Sequence, residues 1–312
     1  MTTGTLRDIA ALQGRDKIVG ILDEVMGSFP EVATLPGRTI NGTTFKVTLR
    51  KSNPQGGFRR ANAGVTPGAA SYFEKLVQAF IYENPIVVDA RVAEANEDGA
   101  EDYLAARSEE HVAGALEGLA EQFYYGEDSE DELGFPGLKT VGEIVVNATG
   151  ANDATATTAY LIRIGNDGVQ FLYGNNAGLE VPEFKEQAIT LADGKLLPKA
   201  LVSPMGLWIG LQAVHPKSIV KITNLNTATG KGFTDALVQQ ALEKLPTGFR
   251  NDKSRLRILA NARTVGQLQT SRTAVSQVAY KSGAVADRPT ESHGIQIIET
   301  DAIQIGATEY EA

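Results

Sequence analysis

From about Asp98 to Tyr124 the residues Leu104, Val112, Leu116, Leu119 and Phe123 recur at helical spacing. Ala100, Ala105, Ala106, Ala113, Ala115 and Ala120 are interleaved with them, and alanine is the strongest helix former. Glu97, Asp98, Glu101 and Asp102 gather at the amino end, where carboxylates offset the positive pole of the helix dipole. Gly126 is placed to close the other end. At about 1.5 Å per residue this helix is about 40 Å long, whereas about 30 Å already spans a small domain. In a chain of 312 residues, such a rod points to an elongated, flat subunit or an oligomer rather than a compact sphere.

The charge balance narrows what such a subunit can bind. Lys plus Arg number 29 and Asp plus Glu 38, a formal charge of -9. Gripping nucleic acid through its phosphates needs a basic footprint, and this chain has none overall. Hydrophobic residues make up 42%, enough for a sizeable core, and the length suits about two domains or one with a large insertion. The absence of cysteine excludes disulfides, thiolate metal sites and cysteine nucleophiles, and it fits a reducing cytoplasm. The opening MTTGTLRDIAALQGRDKIV lacks the apolar centre of a secretion signal, and no apolar run approaches a membrane span. Asn41-Gly-Thr and Asn147-Ala-Thr match the glycosylation pattern and are read as turns.

Along the chain, Ile18, Leu22, Val25 and Phe29 line one helix face, with Asp16 as cap and Pro30 as stop. That element is either a core helix or an arm that docks on a neighbour. TTFKVTLRK alternates, with Phe45, Val47 and Leu49 on one side and Lys46, Thr48 and Arg50 on the other, the pattern of a strand with one buried face. SNPQGG breaks it, and a small, polar, basic stretch follows. KLVQAFIYE fits either a helix or a strand, Asn84-Pro85 stops it, and PIVVDARVAEA begins as strand and turns helical. Residues 44–90 thus read as an excursion out on a strand, around a tip and back. In the second half, TTAYLIRIG and VQFLYG are strands joined at Asn166-Asp-Gly. LWIGLQAV and SIVKITNL are two more, split by His215-Pro216-Lys217. Thr234 caps a helix ending before Pro246, RLRILAN is a buried strand, ARTVGQLQTS is helical, and GIQIIETDAI is a final strand.

A search for chemistry yields little. The three histidines, His111, His215 and His293, lie in no metal-binding pattern. In the acidic run after the long helix, Asp128, Glu130 and Glu132 imitate the odd positions of a calcium loop. However, Leu133 stands where glycine is required and Lys139 where a bidentate glutamate is required. NTATGKGF has Leu225 and Gly232 where a phosphate loop needs Gly and Ser or Thr. No catalytic residue, metal site or cofactor is expected. The alternatives that stay open are a carboxylate-based enzyme of unfamiliar type and an oligomeric protein that binds a partner or builds a tube.

The order of these elements, with several specific stretches, resembles the major capsid proteins of tailed bacteriophages, which share the Hong Kong 97-like fold, and most closely those of short-tailed phages. GRTINGTTFKVTLRKSNPQGGFRRANAGVTP is similar to the outgoing hairpin of that family, whose tip core is matched by Phe58, Arg59, Asn62, Gly64 and Val65. NPIVVDARVAEA, with Asp89, is similar to the segment before the long helix. FYYGED…FPGL is similar to the helix exit, with Gly126 and Phe135-Pro136-Gly137-Leu138. GLWIGLQAVHPKSIVKITNLN resembles the sheet strand with its Trp208 and the following Ile222–Asn226, and RILANART and IQIIETDAI resemble the last elements. Two departures stand out: Phe58 replaces a more usual tryptophan, and the acidic run Glu127–Glu132 is longer than a plain Gly-Asp turn.

The resemblance implies an α+β fold with an N-terminal arm over 1–37 and an extended hairpin loop with peripheral strands over 38–90. A peripheral domain with the spine helix follows over 91–140, a mixed-sheet axial domain over 141–290, and a returning C-terminal strand over 291–312. It implies a shell subunit that forms hexamers and pentamers around double-stranded DNA without reading its sequence. Portal, scaffold and decoration proteins are implied partners, the capsid is the expected location, and assembly is expected in the host cytoplasm. The candidate contact between subunits joins the hairpin tip, Phe58, Arg59, Arg60 and Asn62, to a neighbour's Glu127, Asp128, Glu130, Asp131 and Glu132. The alternative is that tip and loop are both merely solvated. Some family members cross-link a hairpin lysine, for which Lys46 and Lys51 are placed, but no partner asparagine or catalytic glutamate is assignable.

Overall fold

The computed structural model describes residues 29–97, 99–127, 134–151, 153–175, 181–190, 194–279 and 285–306. The expected arm residues Ile18, Leu22 and Val25 lie outside them. Phe29-Pro30 leads into a short helix, α1 (Glu31–Thr34). The centre of the chain is a six-stranded mixed sheet in the order β14 (Glu291–Ser292), β15 (Ile295–Glu299), β13 (Leu256–Ala260), β7 (Thr157–Arg163), β12 (Ile219–Leu225) and β6 (Ile144–Asn147). Every residue of β7 is buried, because both faces of the sheet are covered. Ala159 and Leu161 point to one side, with Val220, Ile222, Ile258 and Ile297. There they meet α5 (Asp235–Lys244) and α7 (Ala262–Ala279) through Val238, Ala241, Leu242, Val265 and Leu268. Tyr160 and Ile162 point to the other side, where Leu119, Phe123 and Tyr124 of α3 (Ala100–Tyr125) pack. The alternation of period two in β7 therefore serves two cores at once.

The expected long helix is α3, with 26 residues and Gly126 as its C-cap. Its burial is uneven. Tyr103 is buried near the start, Ala115, Leu119, Ala120, Phe123 and Tyr124 near the end, and no residue from Leu104 to Gly114 is buried. Only the last three turns are sunk into the main core, so the rod overhangs it. Its amino end packs instead on a small sheet, β5 (Ile86–Asp89), β10 (Leu196–Ser203) and β9 (Lys185–Thr190), with α2 (Ala90–Glu94) between.

The long excursion is a two-stranded antiparallel ribbon of β2 (Thr44–Ser52) and β3 (Ser71–Gln78). The ambiguous stretch KLVQAFIYE is strand throughout, interrupted at Ala79. Its first part pairs with β2, and its second, β4 (Phe80–Glu83), pairs with β11 (Gly206–Ala213). Partner availability settled what the residue pattern left open. The four-stranded sheet at the ribbon root runs β1 (Gly37–Thr39), β8 (Val169–Tyr173), β11 and β4. Strands β7 and β8 follow one another through Asn166–Gly168 as expected, yet they enter different sheets and share a single bridge, Ile164 to Val169. Short helices α4 (Leu138–Val141) and α6 (Thr247–Arg250) complete the described α-helices, with 3-10 turns at Pro216–Ser218 and Lys253–Arg255.

Two glycines differ sharply in what surrounds them. A Cβ at Gly210 would overlap the Gln78 carbonyl oxygen at the ribbon root, whereas one at Gly114 in α3 meets nothing within 4 Å. Gly210→Ala should therefore cost about 1–3 kcal/mol by forcing the root apart. Gly114→Ala should gain about 0.5–1 kcal/mol of helix propensity. Urea unfolding of unassembled subunits measures both.

Candidate functional site

Residues 51–69, the end of β2 and the loop that forms the ribbon tip, are all exposed. Ala63 N donates to Arg60 O at 3.1 Å, closing a turn in which Asn62 adopts a left-handed φ of 62° that asparagine tolerates. Arg59 donates from Nη1 to Ala63 O at 3.0 Å, so its guanidinium also holds the turn shut. Arg60 has no side-chain partner among the described residues. Phe58 is 110% exposed, so nothing among the described residues covers the ring. Arg60 and Asn62 lie in this turn, Arg59 bonds across it, and Phe58 precedes it. The role of Arg59 in closing that turn was not legible.

Of the acidic residues, Glu127 is exposed just beyond α3, while Asp128, Glu130, Asp131 and Glu132 lie outside the described residues. The neck on either side of them is tightly closed. Gln122 Nε2 donates to Phe135 O at 2.7 Å, Gly137 N to Gly126 O at 2.8 Å, and Thr140 Oγ1 to the same oxygen at 3.0 Å. A Cβ at Gly137 would stand 2.7 Å from Gly126 N and from the Tyr124 backbone, which explains the glycine there. Phe135 and Leu138 are buried beneath this neck. The Gly126 and Phe-Pro-Gly-Leu punctuation marked it in the sequence. Gln122 and Thr140 carried no such mark.

A second anchor sits one residue inside the helix end. Tyr124 Oη donates to Glu31 Oε1 at 2.9 Å, and both residues are fully buried. Burial, followed by the charge and hydrogen bond of Glu31, holds the Tyr124 hydroxyl well above its ordinary value. Glu31 Oε2 has no partner among the described residues. Tyr124 also meets Phe123 edge-on at 5.0 Å and Tyr160 at 5.5 Å. This pair ties α1 to the rod from 93 residues away, a separation no local pattern reveals. Tyr124→Phe leaves a buried carboxyl without its donor and should cost about 1–3 kcal/mol in subunit unfolding. Glu31→Gln on that background should recover part of the loss.

The histidines have structural roles. His111 Nδ1 faces Asn84 Oδ1 at 3.0 Å, and Asn84 Nδ2 donates to His111 O at 3.0 Å, which joins α3 to the turn after β4. His215 Nδ1 accepts from Lys217 N at 3.1 Å, with its ring edge-on to Phe249 at 4.9 Å. His293 adopts a φ of 53° beside Ser292. No group of three metal-ligating side chains converges among the described residues. Lys46 pairs with Glu74 at 3.1 Å on the exposed outer face, and Lys51 has no partner among the described residues. Burial, the leading cause, lowers His111 below its ordinary value, so the unfolded chain binds the proton more readily. Folded stability should therefore decline as pH falls from about 6.5 through the lower folded value, and His111→Asn should remove that part of the decline. Thermal melts of subunits across this range read the difference.

A rod that overhangs its core and a projecting ribbon are the features of a subunit that builds shells. A family model of the major capsid protein GP7 matches residues 16–310, and the chain belongs to that family. It is a capsid shell subunit, a structural protein rather than an enzyme. Its α+β fold is that of tailed-phage capsids. A chain of the bacteriophage Epsilon15 structure is similar over 98% of both chains, with a TM-score of 0.75 and 17% identity. The bacteriophage JBD30 capsid is similar over 96% of this chain and 99% of that one, with a TM-score of 0.49 and 12% identity. No curated protein matches the sequence.

Proposed function

We propose that the chain assembles into hexamers and pentamers of an icosahedral shell around double-stranded viral DNA. The observation that carries this reading is the ribbon β2–β3, whose outer face leaves Tyr72 and Leu76 uncovered and whose tip leaves Phe58 bare. A two-stranded ribbon is marginal by itself, so cover from neighbouring copies is what makes such a limb worth keeping. Each contact is small, but a lattice repeats it many times.

The divisions at 1–37, 38–90, 91–140, 141–290 and 291–312 are carried over as arm, hairpin region, peripheral domain, axial domain and returning strand. The net charge of -9 supports enclosure of DNA without sequence-specific binding. A closed lattice has no passage for DNA, which supports a distinct portal, and a thin shell favours scaffold and decoration proteins as partners. The lack of cysteine fits assembly in the host cytoplasm.

Between copies, Arg59 and Arg60 at one tip are taken to approach Glu127–Glu132 of a neighbour. Exposed pairs contribute about 0–1 kcal/mol each, so this contact sets register more than strength. Electron microscopy of the chain expressed alone should show closed shells, and tubes or a discrete small oligomer would contradict the reading. Arg59→Glu with Arg60→Glu should slow assembly at low salt and lose that effect near 1 M salt, where screening shortens to about 3 Å. Unchanged assembly at low salt rejects the pairing.

A further inference from the structure

The inner face of the ribbon rests on the body only near its root. Lys75 Nζ reaches Ala213 O at 2.8 Å, and Val77 is buried. One pair further out, Leu49 and Phe73 stand opposite each other on the same face. There they roof a cleft of about 550 Å³ whose other side is formed by His215, Lys217 and Pro246. The lining is mostly apolar, and Phe73 remains 56% exposed. Arg50, Lys51 and Lys217 stand around the rim. None of these three has a side-chain partner among the described residues, whereas the exposed Lys46 and Lys199 are each paired with a glutamate. An apolar slot with an unpaired cationic rim fits an aromatic side chain flanked by carboxylates.

The chain contains that sequence at Glu309-Tyr310-Glu311, beyond the described residues. The acidic run 127–132, by contrast, has no aromatic residue within it. On its own subunit, the backbone leading to Tyr310 is shorter than the span to the cleft. Gly306 N is bonded to Ala156 O at 2.9 Å, at the start of β7. The cleft lies at the opposite end of that strand, where the His215 ring meets Phe249 at 4.9 Å and Phe249 carries Arg163 at 4.6 Å. The 7 residues of β7 span about 20 Å. From Gly306 to Tyr310 the chain advances at most about 14 Å.

We propose that this cleft receives residues 309–311 of a second copy, with the Tyr310 ring between Phe73 and Pro246 and the two carboxylates opposite Arg50, Lys51 and Lys217. The inference rests on the shell reading and adds to it a contact separate from the ribbon tip. The natural sequence has no cysteine, so Phe73→Cys together with Tyr310→Cys in the full chain reports the contact by oxidation. Shells carrying both changes should give a ladder of covalently linked chains on a non-reducing gel. Intact shells that yield only unlinked chains, or a link closed within one chain, overturn the proposal and leave the shell itself standing. Failure of the unaltered chain to form shells counts instead against the shell reading.

If the cysteine variants do not assemble, a charge exchange decides. Glu309→Lys with Glu311→Lys should raise the concentration needed for assembly about tenfold at low salt, as expected for two exposed pairs. Adding Lys51→Glu and Lys217→Glu should restore it. An unchanged threshold, or a loss that the second exchange does not restore, overturns the proposal.

Discussion

At Ala79 the chain passes from the ribbon into the four-stranded sheet. The residue is fully buried, and its amide donates to Thr43 O at 2.8 Å. Val77, Ile40 and Leu172 close around it, with Phe45, Val47 and Trp208 packed against them. The adjacent backbone of β11 approaches so closely that only glycine fits at position 210. This crossing fixes the direction in which the ribbon leaves the body. Beyond it, strand pairing continues from Phe45–Val77 to Arg50–Tyr72. Apolar cover does not continue with it. The limb is therefore aimed by its root and left unfinished along its length.

The body tolerates such limbs because its burial is concentrated elsewhere. The six-stranded sheet is covered on both faces, and the end of α3 is locked by the Tyr124–Glu31 bond and by the neck around Gly126 and Gly137. With those contacts secured, the middle of α3 can lie half-exposed without losing its helix, supported by its alanines. A rod beside a fixed ribbon root gives a unit whose projections leave the body in set directions. A root that already sets the ribbon's direction leaves only the outer part of the limb to be ordered at each contact, which lowers that cost.

Much of this was legible in the sequence. The rod, the alternating β2, the Thr234 cap and the strands β7, β8, β11, β12, β13 and β15 follow from spacing and punctuation. Thr234 Oγ1 does accept from Leu237 N, at 3.4 Å. Strands β1, β6, β9, β10 and β14 escaped notice. The exposed β9, Lys185–Thr190, alternates little in hydrophobicity, and β10 is broken by a bulge between Leu197 and Ala200. Sheet membership was also hidden, since whether β8 pairs with β7 or with β11 depends on contacts far apart in the chain. At the candidate site, the tip residues were found through a resemblance of order and motif. The bonds that shape the surroundings, Arg59 to Ala63, Gln122 to Phe135 and Tyr124 to Glu31, have no local signature.

Amide hydrogen exchange along β2 and β3, compared between free subunits and assembled shells, measures most directly whether the ribbon depends on copies of its own chain. The account predicts fast exchange in the free subunit over residues 46–52 and 71–75, slow exchange near Val77 and Ala79, and protection of the whole ribbon in shells. Equal protection in both states, with the ribbon as stable alone as in the lattice, would contradict it.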